Sequence, residues 1–313
     1  MLKFVARRLA EAIPVLFLAS LIAFGLLYLI PGDPIDAMVG VSAAGEVGLA
    51  RPEIVAQIRQ DLGLNDPLPV QYARWVVNAL QGDFGKSYVQ RRSVVSLLLE
   101  RLPSTVELAV ASTLIVALLG LGLGIIAALK NNTLIDNLIL VISLGGISMP
   151  NFWFGILLIL VFSVFLGLLP ATGSGGYERL ILPAVALGYE GIALITRLMR
   201  ASLLEVLGRE YITTAHAKGL STWVVIISHA MRNALIPVVT MLGLQFGRLL
   251  AGAVVIETVF ARQGIGQLAI QAINTKDFPL VQGIIFFSAA IFVLVNLLVD
   301  ISYGYLDPQL RIS

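Results

Sequence analysis

Residues 80–87 read Leu-Gln-Gly-Asp-Phe-Gly-Lys-Ser and end on Gly85, Lys86 and Ser87, the residue types that close a phosphate-cradling loop. Such a loop wraps backbone N–H groups and a lysine around phosphate oxygens, and it needs another glycine five positions before Gly85. Leu80 stands there, so a helix end followed by a turn is the better reading. Ser174 in Thr-Gly-Ser-Gly-Gly (172–176) is the second candidate, for nucleophilic chemistry. A hydrolase elbow has one residue between its first glycine and its serine, whereas Ser174 directly follows Gly173. His216 and His229 are the only histidines, they lack the H-E-x-x-H spacing of a metal helix, and there is no cysteine. The residues do not assemble into a catalytic or metal site, and no cofactor is expected in this chain.

The remaining polar residues of interest sit where polarity is costly. Only 13% of the 313 residues are charged and 58% are hydrophobic. Charge-free windows run from Ala12 to Gly32, Leu108 to Leu129, Asn137 to Tyr177, Asn233 to Gly247 and Phe278 to Val299. A helix of about 20 residues crosses a hydrocarbon layer of about 30 Å, and the longest of these windows is roughly twice that. The pattern predicts an all-α polytopic membrane protein; unbroken apolar runs argue against a β-barrel, which alternates. Six spans are predicted, near residues 9–30, 104–129, 136–168, 180–199, 233–258 and 280–303. The third contains Pro150, which removes a helix hydrogen bond and predicts a kink or break. The N-terminal apolar run is too long for a signal-peptide core and reads as a retained first helix.

Three segments follow from this. Residues 1–30 hold a cytoplasmic start and the first span, 31–101 a small helical extracytoplasmic insertion, and 102–313 a five-span core with a polar loop at 201–232. Within the insertion, Pro52 and Gly63 bound one predicted helix, and Gly82 ends a second. Lysine and arginine in the short flanking segments favour the side that holds the N-terminus, which places both termini in the cytoplasm. Net charge is +2 with no basic run longer than a pair, so nucleic acid is not an expected partner.

Two charges interrupt predicted spans near their middles, Glu190 and Arg248. A midspan charge costs at least about 2.5 kcal/mol and usually faces water or a partner. Arg248 therefore either faces a translocation pathway or pairs with Glu190, whereas Glu190 is in phase with Arg197. Glu257 is out of phase with Arg248, and Glu107 and Asp300 lie at span ends, where capping is expected. The glycines of Gly-Leu-Gly-Leu-Gly (120–124) and Gly-Leu-Gln-Phe-Gly (243–247) predict close helix packing.

The polar stretch 205–232 holds two short amphipathic helices. Tyr211, Ala215 and Lys218 share a face of the first, which Gly219 ends; Trp223, Val224, Ile227 and Ala230 share a face of the second. A rigid protrusion that docks into a soluble partner and a helix pair lying on lipid both fit this pattern.

Here the sequence resembles a known family. Glu-Tyr-Ile-Thr-Thr-Ala-His-Ala-Lys-Gly-Leu (210–220) looks like the coupling loop of inner-membrane permease subunits of ABC importers, in the dipeptide, oligopeptide, nickel and glutathione branch. The resemblance extends through Ile-Pro-Gly-Asp-Pro (30–34), residues 62–72, Leu-Pro-Ser-Thr-Val-Glu-Leu-Ala (102–109), residues 147–159, 197–220 and 243–260, and residues 296–311. Thr213, Thr214 and Ala215 replace the Glu-Ala-Ala that begins the general coupling signature, and Gln263 stands where this branch often has proline.

The resemblance implies a six-span subunit forming half of a pathway for a small solute. Its implied partners are a homologous permease, two cytoplasmic ATPases (or a heterodimer) that bind ATP and Mg, an extracytoplasmic binding protein and membrane lipid. It implies the cytoplasmic membrane of a bacterium or archaeon. Glu210, Tyr211, Thr213, Thr214, Ala215, His216, Ala217, Lys218, Gly219 and Leu220 would couple to the ATPases; Arg248, Glu190 and Gln245 are pathway candidates. The alternative class is an ion-coupled secondary transporter or channel, which would be expected to carry more midspan carboxylates and histidines. An intramembrane enzyme is disfavoured by the missing nucleophile and metal constellations.

Overall fold

The computed structural model describes residues 2–29 and 66–306. The helices are α1 (Leu2–Leu29), α2 (Leu68–Leu80), α3 (Val94–Leu129), α4 (Leu134–Ser148), α5 (Asn151–Leu158) and α6 (Glu178–Leu207). They continue with α7 (Glu210–Ala217), α8 (Thr222–Val224), α9 (Met231–Val259), α10 (Ile265–Asn274) and α11 (Phe278–Leu306). π-Helical turns extend α5 through Ile159–Phe165 and join α8 to α9 through Val225–Ala230. Five stretches are long and apolar enough to cross a membrane, at Arg7–Leu26, Val94–Leu129, Glu178–Leu207, Thr222–Val259 and Phe278–Val299, and the bent pair α4–α5 makes a sixth. The predicted insertion helix between Pro52 and Gly63 lies outside the described residues. The chain forms two compact units, residues 1–103 with 264–313, and residues 104–263.

In the first unit α1 lies against α11. Val94, Leu97, Leu98, Leu268, Leu280 and Ile284 are buried together. A Cβ on Gly283 would stand 2.4 Å from Val94 Cγ1, so this contact requires glycine. α2 begins behind Pro67, and Gly82 follows it with φ 82°, at the end the sequence predicts. Its tyrosine Tyr72 meets Ser20 of α1 at 2.7 Å, and the Tyr28 hydroxyl donates to Gln71 Oε1. The segment once comparable to a phosphate loop is spoken for. Asp83 Oδ1 accepts the Gly85 N–H at 2.9 Å, and the buried Ser87 hydroxyl donates to the carboxylate of Asp277. No helix opens at Ser87, so no bundle of free N–H groups points at a phosphate there.

The second unit is organised around α6. Gly120 and Gly124 let α3 approach it: added Cβ atoms would stand 2.8 Å from Ile195 Cβ and 2.6 Å from Met199 Cβ. The glycine pattern thus serves packing, as its spacing predicts. At one end of α6, Arg200 Nε and Nη2 reach both oxygens of Asp136 at 2.6 and 2.7 Å, and Nη2 also reaches Asn131 Oδ1 at 2.9 Å. Asp136 is 1% exposed and additionally accepts the Asn132 N–H. At the other end, the buried Arg262 guanidinium contacts Glu107 Oε2 at 3.0 Å and the Arg179 carbonyl at 3.5 Å. Arg179 and Arg200 are separated by about 32 Å of helix, close to the thickness of a hydrocarbon layer.

These two ends settle the path of the broken span. α4 and α5 meet at Pro150 with a bend of 113°. The pair starts beside Arg200, at Asp136, and leads to the loop at Gly173 and Ser174, which bonds Phe260 and Gln263. It therefore runs from one end of α6 to the other, and is a crossing. The break is sharper than a proline kink because Tyr189 of α6 holds both arms. Its hydroxyl donates to the Ile142 carbonyl at 3.1 Å, and its ring stacks on Phe154 at 3.9 Å. The glycine loop 172–176 is not slack either. Gly173 N–H donates to the Phe260 carbonyl at 2.8 Å and Gln263 N–H to Ser174 Oγ at 2.7 Å, a bond that proline at 263 could not make.

Removing one partner of a buried, doubly bonded ion pair costs about 3–5 kcal/mol. Asp136→Ala is expected to lower the unfolding midpoint of the detergent-purified protein, with Arg200→Lys, which keeps charge but loses the fork, falling between it and the native chain. Thermal unfolding of the three forms checks this order.

Candidate functional site

Glu205 to Asn233 form a protruding elbow at the Arg200 end of the second unit. α7 is eight residues long, and its buried face is Ile212 and Ala215, which join a cluster with Leu203, Val206, Val225 and Ala230. The face predicted from Tyr211, Ala215 and Lys218 is thus rotated: Tyr211 stands at the rim and Lys218 is exposed. Ala215 points into its own fold. Glu210, Thr213, Thr214, His216, Ala217, Lys218, Gly219 and Leu220 are all exposed.

The end of α7 is locked by backbone geometry. Gly219 has φ 78°, its N–H bonds the His216 carbonyl at 2.9 Å, and the Leu220 N–H bonds the Ala215 carbonyl at 3.4 Å. These two bonds are the Schellman pair, in which a left-handed residue satisfies the orphan carbonyls of the last turn. A second tie crosses the elbow, where Asn233 Nδ2 donates to the Tyr211 hydroxyl at 2.8 Å. The exposed Arg209 meets Glu205 at 2.6 Å. Two buried side chains, a locked turn and a cross-tie make a stiff element with one bare face.

The second helix of the elbow differs from expectation. Trp223 and Ile227 are 66% and 62% exposed and Val224 is exposed, whereas Val225, Ile226 and Ala230 are buried. The cause is the π-helical turn Val225–Ala230, in which Met231 N–H reaches the Ile226 carbonyl five residues back. Its wider period moves the inward face by about a residue relative to the α-helical wheel.

α9 carries the other candidate surface. Asn233, Pro237, Thr240, Leu244, Arg248, Ala251, Val255 and Thr258 are exposed at three- and four-residue steps, one continuous stripe along the helix. Ala234, Val238, Gln245, Leu249, Ala253 and Ile256 face inward. Arg248 lies within a turn of the middle of α9. Glu190 is exposed near the middle of α6, and among the described residues no ion pair joins it to Arg248. Nor does Glu190 pair with Arg197, whose buried Nε has no partner. Gln245 is buried, and the Cβ position of Gly191 lies 3.1 Å from its Nε2. A guanidinium inside a membrane span usually faces water or a partner, which makes this stripe the candidate surface.

Sequence reasoning missed three side-chain arrangements. Glu257 is fully buried and accepts the Thr105 hydroxyl at 2.6 Å, Arg262 is buried rather than in a surface loop, and Asp136 is held by Arg200. Thr133 three residues before Asp136 is the spacing of a helix N-cap, and that signal was present; the Thr133 hydroxyl does face the Asp136 N–H at 3.5 Å. Glu107 binds Arg262 instead of capping a helix. The Asp300 side chain lies outside the described residues. Among those residues no group of three or more His, Asp or Glu could hold a metal ion.

A family described as "Binding-protein-dependent transport system inner membrane component" matches residues 120–312, and its N-terminal companion, "Binding-prot-dependent transport system membrane comp, N-term", matches residues 1–109. The chain belongs to this family. The permease is 42% identical to the di/tripeptide transport system permease protein DppB of Pseudomonas aeruginosa (strain UCBPP-PA14), over 99% of each chain. It is equally 42% identical, over 99% of each chain, to the glutathione transport system permease protein GsiC of Escherichia coli (strain K12). Its fold resembles a chain of the inward-facing MetNI methionine ABC transporter with TM-score 0.58 at 16% identity, covering 67% of this chain and 96% of that one. An amino acid ABC transporter solved with histidines matches at TM-score 0.52 and 15% identity, covering 67% and 94%. The protein is therefore a multi-pass permease subunit of an ABC importer, in which ATP hydrolysis belongs to separate subunits. The ion-coupled carrier is set aside.

Gly219→Val forces a β-branched residue into left-handed backbone, and Tyr211→Phe removes the cross-tie. Both are expected to loosen the elbow, read as faster hydrogen exchange over 210–233 in the purified permease. Gly219→Val should have the larger effect, and Gly219→Asn, which tolerates this backbone, a smaller one.

Proposed function

We propose that this permease forms half of a translocation pathway for short peptides, together with a second, homologous permease. Two cytoplasmic ATPases that bind ATP and Mg drive it, and a binding protein on the far side delivers the solute. The names of the 42%-identical relatives support peptides or a peptide-like solute such as glutathione. The positive-inside count supports a cytoplasmic elbow and cytoplasmic termini, in the inner membrane of a bacterium or archaeon.

The observation that carries the coupling role is the stiffness of α7 together with its bare face. Glu210, Thr213, Thr214, His216, Ala217, Lys218, Gly219 and Leu220 would enter a cleft on an ATPase, with Tyr211 bracing the elbow from its rim. Ala215 acts from inside, by anchoring the helix. Force applied at α7 passes into α6 through Gly208 and into α9 through the π turn and the Tyr211–Asn233 bond. α9 carries Arg248 on its exposed stripe, so movement of the elbow reorients the stripe.

Arg248 is the pathway group with a definite chemistry. It is exposed, permanently charged and near mid-depth, and it would attract the carboxylate of a peptide or pair across to the second permease. Glu190, exposed at similar depth on α6, would meet an ammonium group. Gln245 lies behind the stripe and positions α9 against α6.

Thr213→Cys carrying a short thiol-linked photocrosslinker is expected to crosslink to an ATPase subunit in membranes, whereas Ala215→Cys treated alike should not. Crosslinking of neither position to any ATPase would overturn the coupling reading. Arg248→Leu is expected to reduce peptide uptake by about tenfold, with the complex still assembled; one lost hydrogen bond to a charged group is worth about 1.5–3 kcal/mol, and each 1.4 kcal/mol is tenfold. Unchanged uptake by intact complex removes Arg248 from the pathway.

A further inference from the structure

The first unit holds a groove of about 260 Å³ lined by Leu26 of α1, Ile273 of α10, and Phe278, Val281 and Ile285 of α11, with Lys276 its one charged lining residue. Its depth follows from the spans that build it. Phe278 opens the stretch that crosses the membrane to Val299, and Leu26 closes the stretch that starts at Arg7. The mouth at Lys276 thus lies where hydrocarbon gives way to headgroups, and from Phe278 to Ile285 the groove descends about 10 Å along α11. Water in such a groove would find almost no hydrogen-bond partner.

Lys276 is held at that mouth by an unusual backbone. Its φ is 53°, a left-handed conformation that residues with a side chain rarely adopt, and its N–H caps α10 by bonding the Ile273 carbonyl at 3.1 Å. Its neighbour Asp277 turns inward: that carboxylate is buried, one oxygen receiving the Ser87 hydroxyl and Oδ1 lying without a hydrogen-bond partner. Lys276 is exposed and forms no ion pair among the described residues.

We propose that the groove binds one anionic phospholipid, its acyl chain along Ile273, Val281 and Ile285 and its phosphate on the Lys276 ammonium. An apolar cleft that opens at headgroup level beside a single cation matches the two ends of such a molecule. Zwitterionic lipid offers the same chain with a weaker net attraction at the mouth. The site lies in the unit that does not contain α7 or α9.

The test uses the whole transporter in nanodiscs of phosphatidylcholine, with a trace of phosphatidylglycerol or phosphatidylcholine carrying a photoactivatable group in the acyl chain, and maps labelled residues by peptide mass spectrometry. Labelling at Ile273, Val281 or Ile285 is expected to be about fivefold stronger with the phosphatidylglycerol probe, the ratio given by one lysine near an anionic headgroup. Lys276→Gln should bring it down to the phosphatidylcholine level, and Lys276→Arg should keep it. Ile273→Trp, which fills the groove, should abolish labelling by both probes. Equal labelling by the two probes, or labelling indifferent to Lys276→Gln, overturns the proposal; so does absence of label in the groove, the result if a protein subunit covers it. If Lys276→Gln does not assemble, competition on the native complex decides: displacement of the probe by unlabelled phosphatidylglycerol but not by phosphatidylcholine supports the site, and equal displacement overturns it.

Discussion

Arg200 sits about 32 Å along α6 from Arg179, a distance that matches the hydrocarbon layer, and its Nε and Nη2 both reach one nearly fully buried carboxylate, Asp136. A guanidinium and a carboxylate meeting through two parallel bonds fix direction as well as distance. This contact holds the start of α4 against α6, and α6 leads directly to the elbow. At the far end Arg262 does similar work with Glu107, closing the loop after α9 onto α3. Between the clamps the helices meet mostly through apolar and small residues, which in lipid supply packing but little direction. The charged clamps give the second unit its ends; the glycines at 120 and 124 give it its closeness.

Much of the architecture was legible in the sequence because the bilayer imposes a simple rule. Apolar runs of sufficient length become spans, and Pro150 breaks one. Gly219 also announced itself, since a glycine after a short amphipathic stretch has few roles other than a left-handed terminus. What was not legible depended on neighbours distant in the chain. The 113° bend at Pro150 is set by Tyr189, some forty residues on, and proline alone does not specify it.

The elbow's second helix shows a different limit. Assigning Trp223 and Ile227 to an inward face assumes a period of 3.6 residues, and the π turn breaks that assumption locally. Ala215 was read as a docking residue because small side chains permit close approach, yet the same smallness suits it to the interior, where it lies. Arg262 was given no role from sequence; a guanidinium can be buried when carbonyl, hydroxyl and carboxylate oxygens surround it, and no local pattern reveals that they will. For the candidate site, the segment was readable and the bearing of each side chain was not.

The π turn at Val225–Ala230 contains a longer repeat than the helix it feeds. Winding the same residues as α-helix, with none removed, would turn everything downstream by about 100°, the angle per residue of an α-helix. Arg248 would then swing from the bare side of α9 toward its flank, with no change to any residue around it. The compass heading of Arg248 is therefore set by a surplus residue near the elbow, and helical phase serves as a form of long-range address.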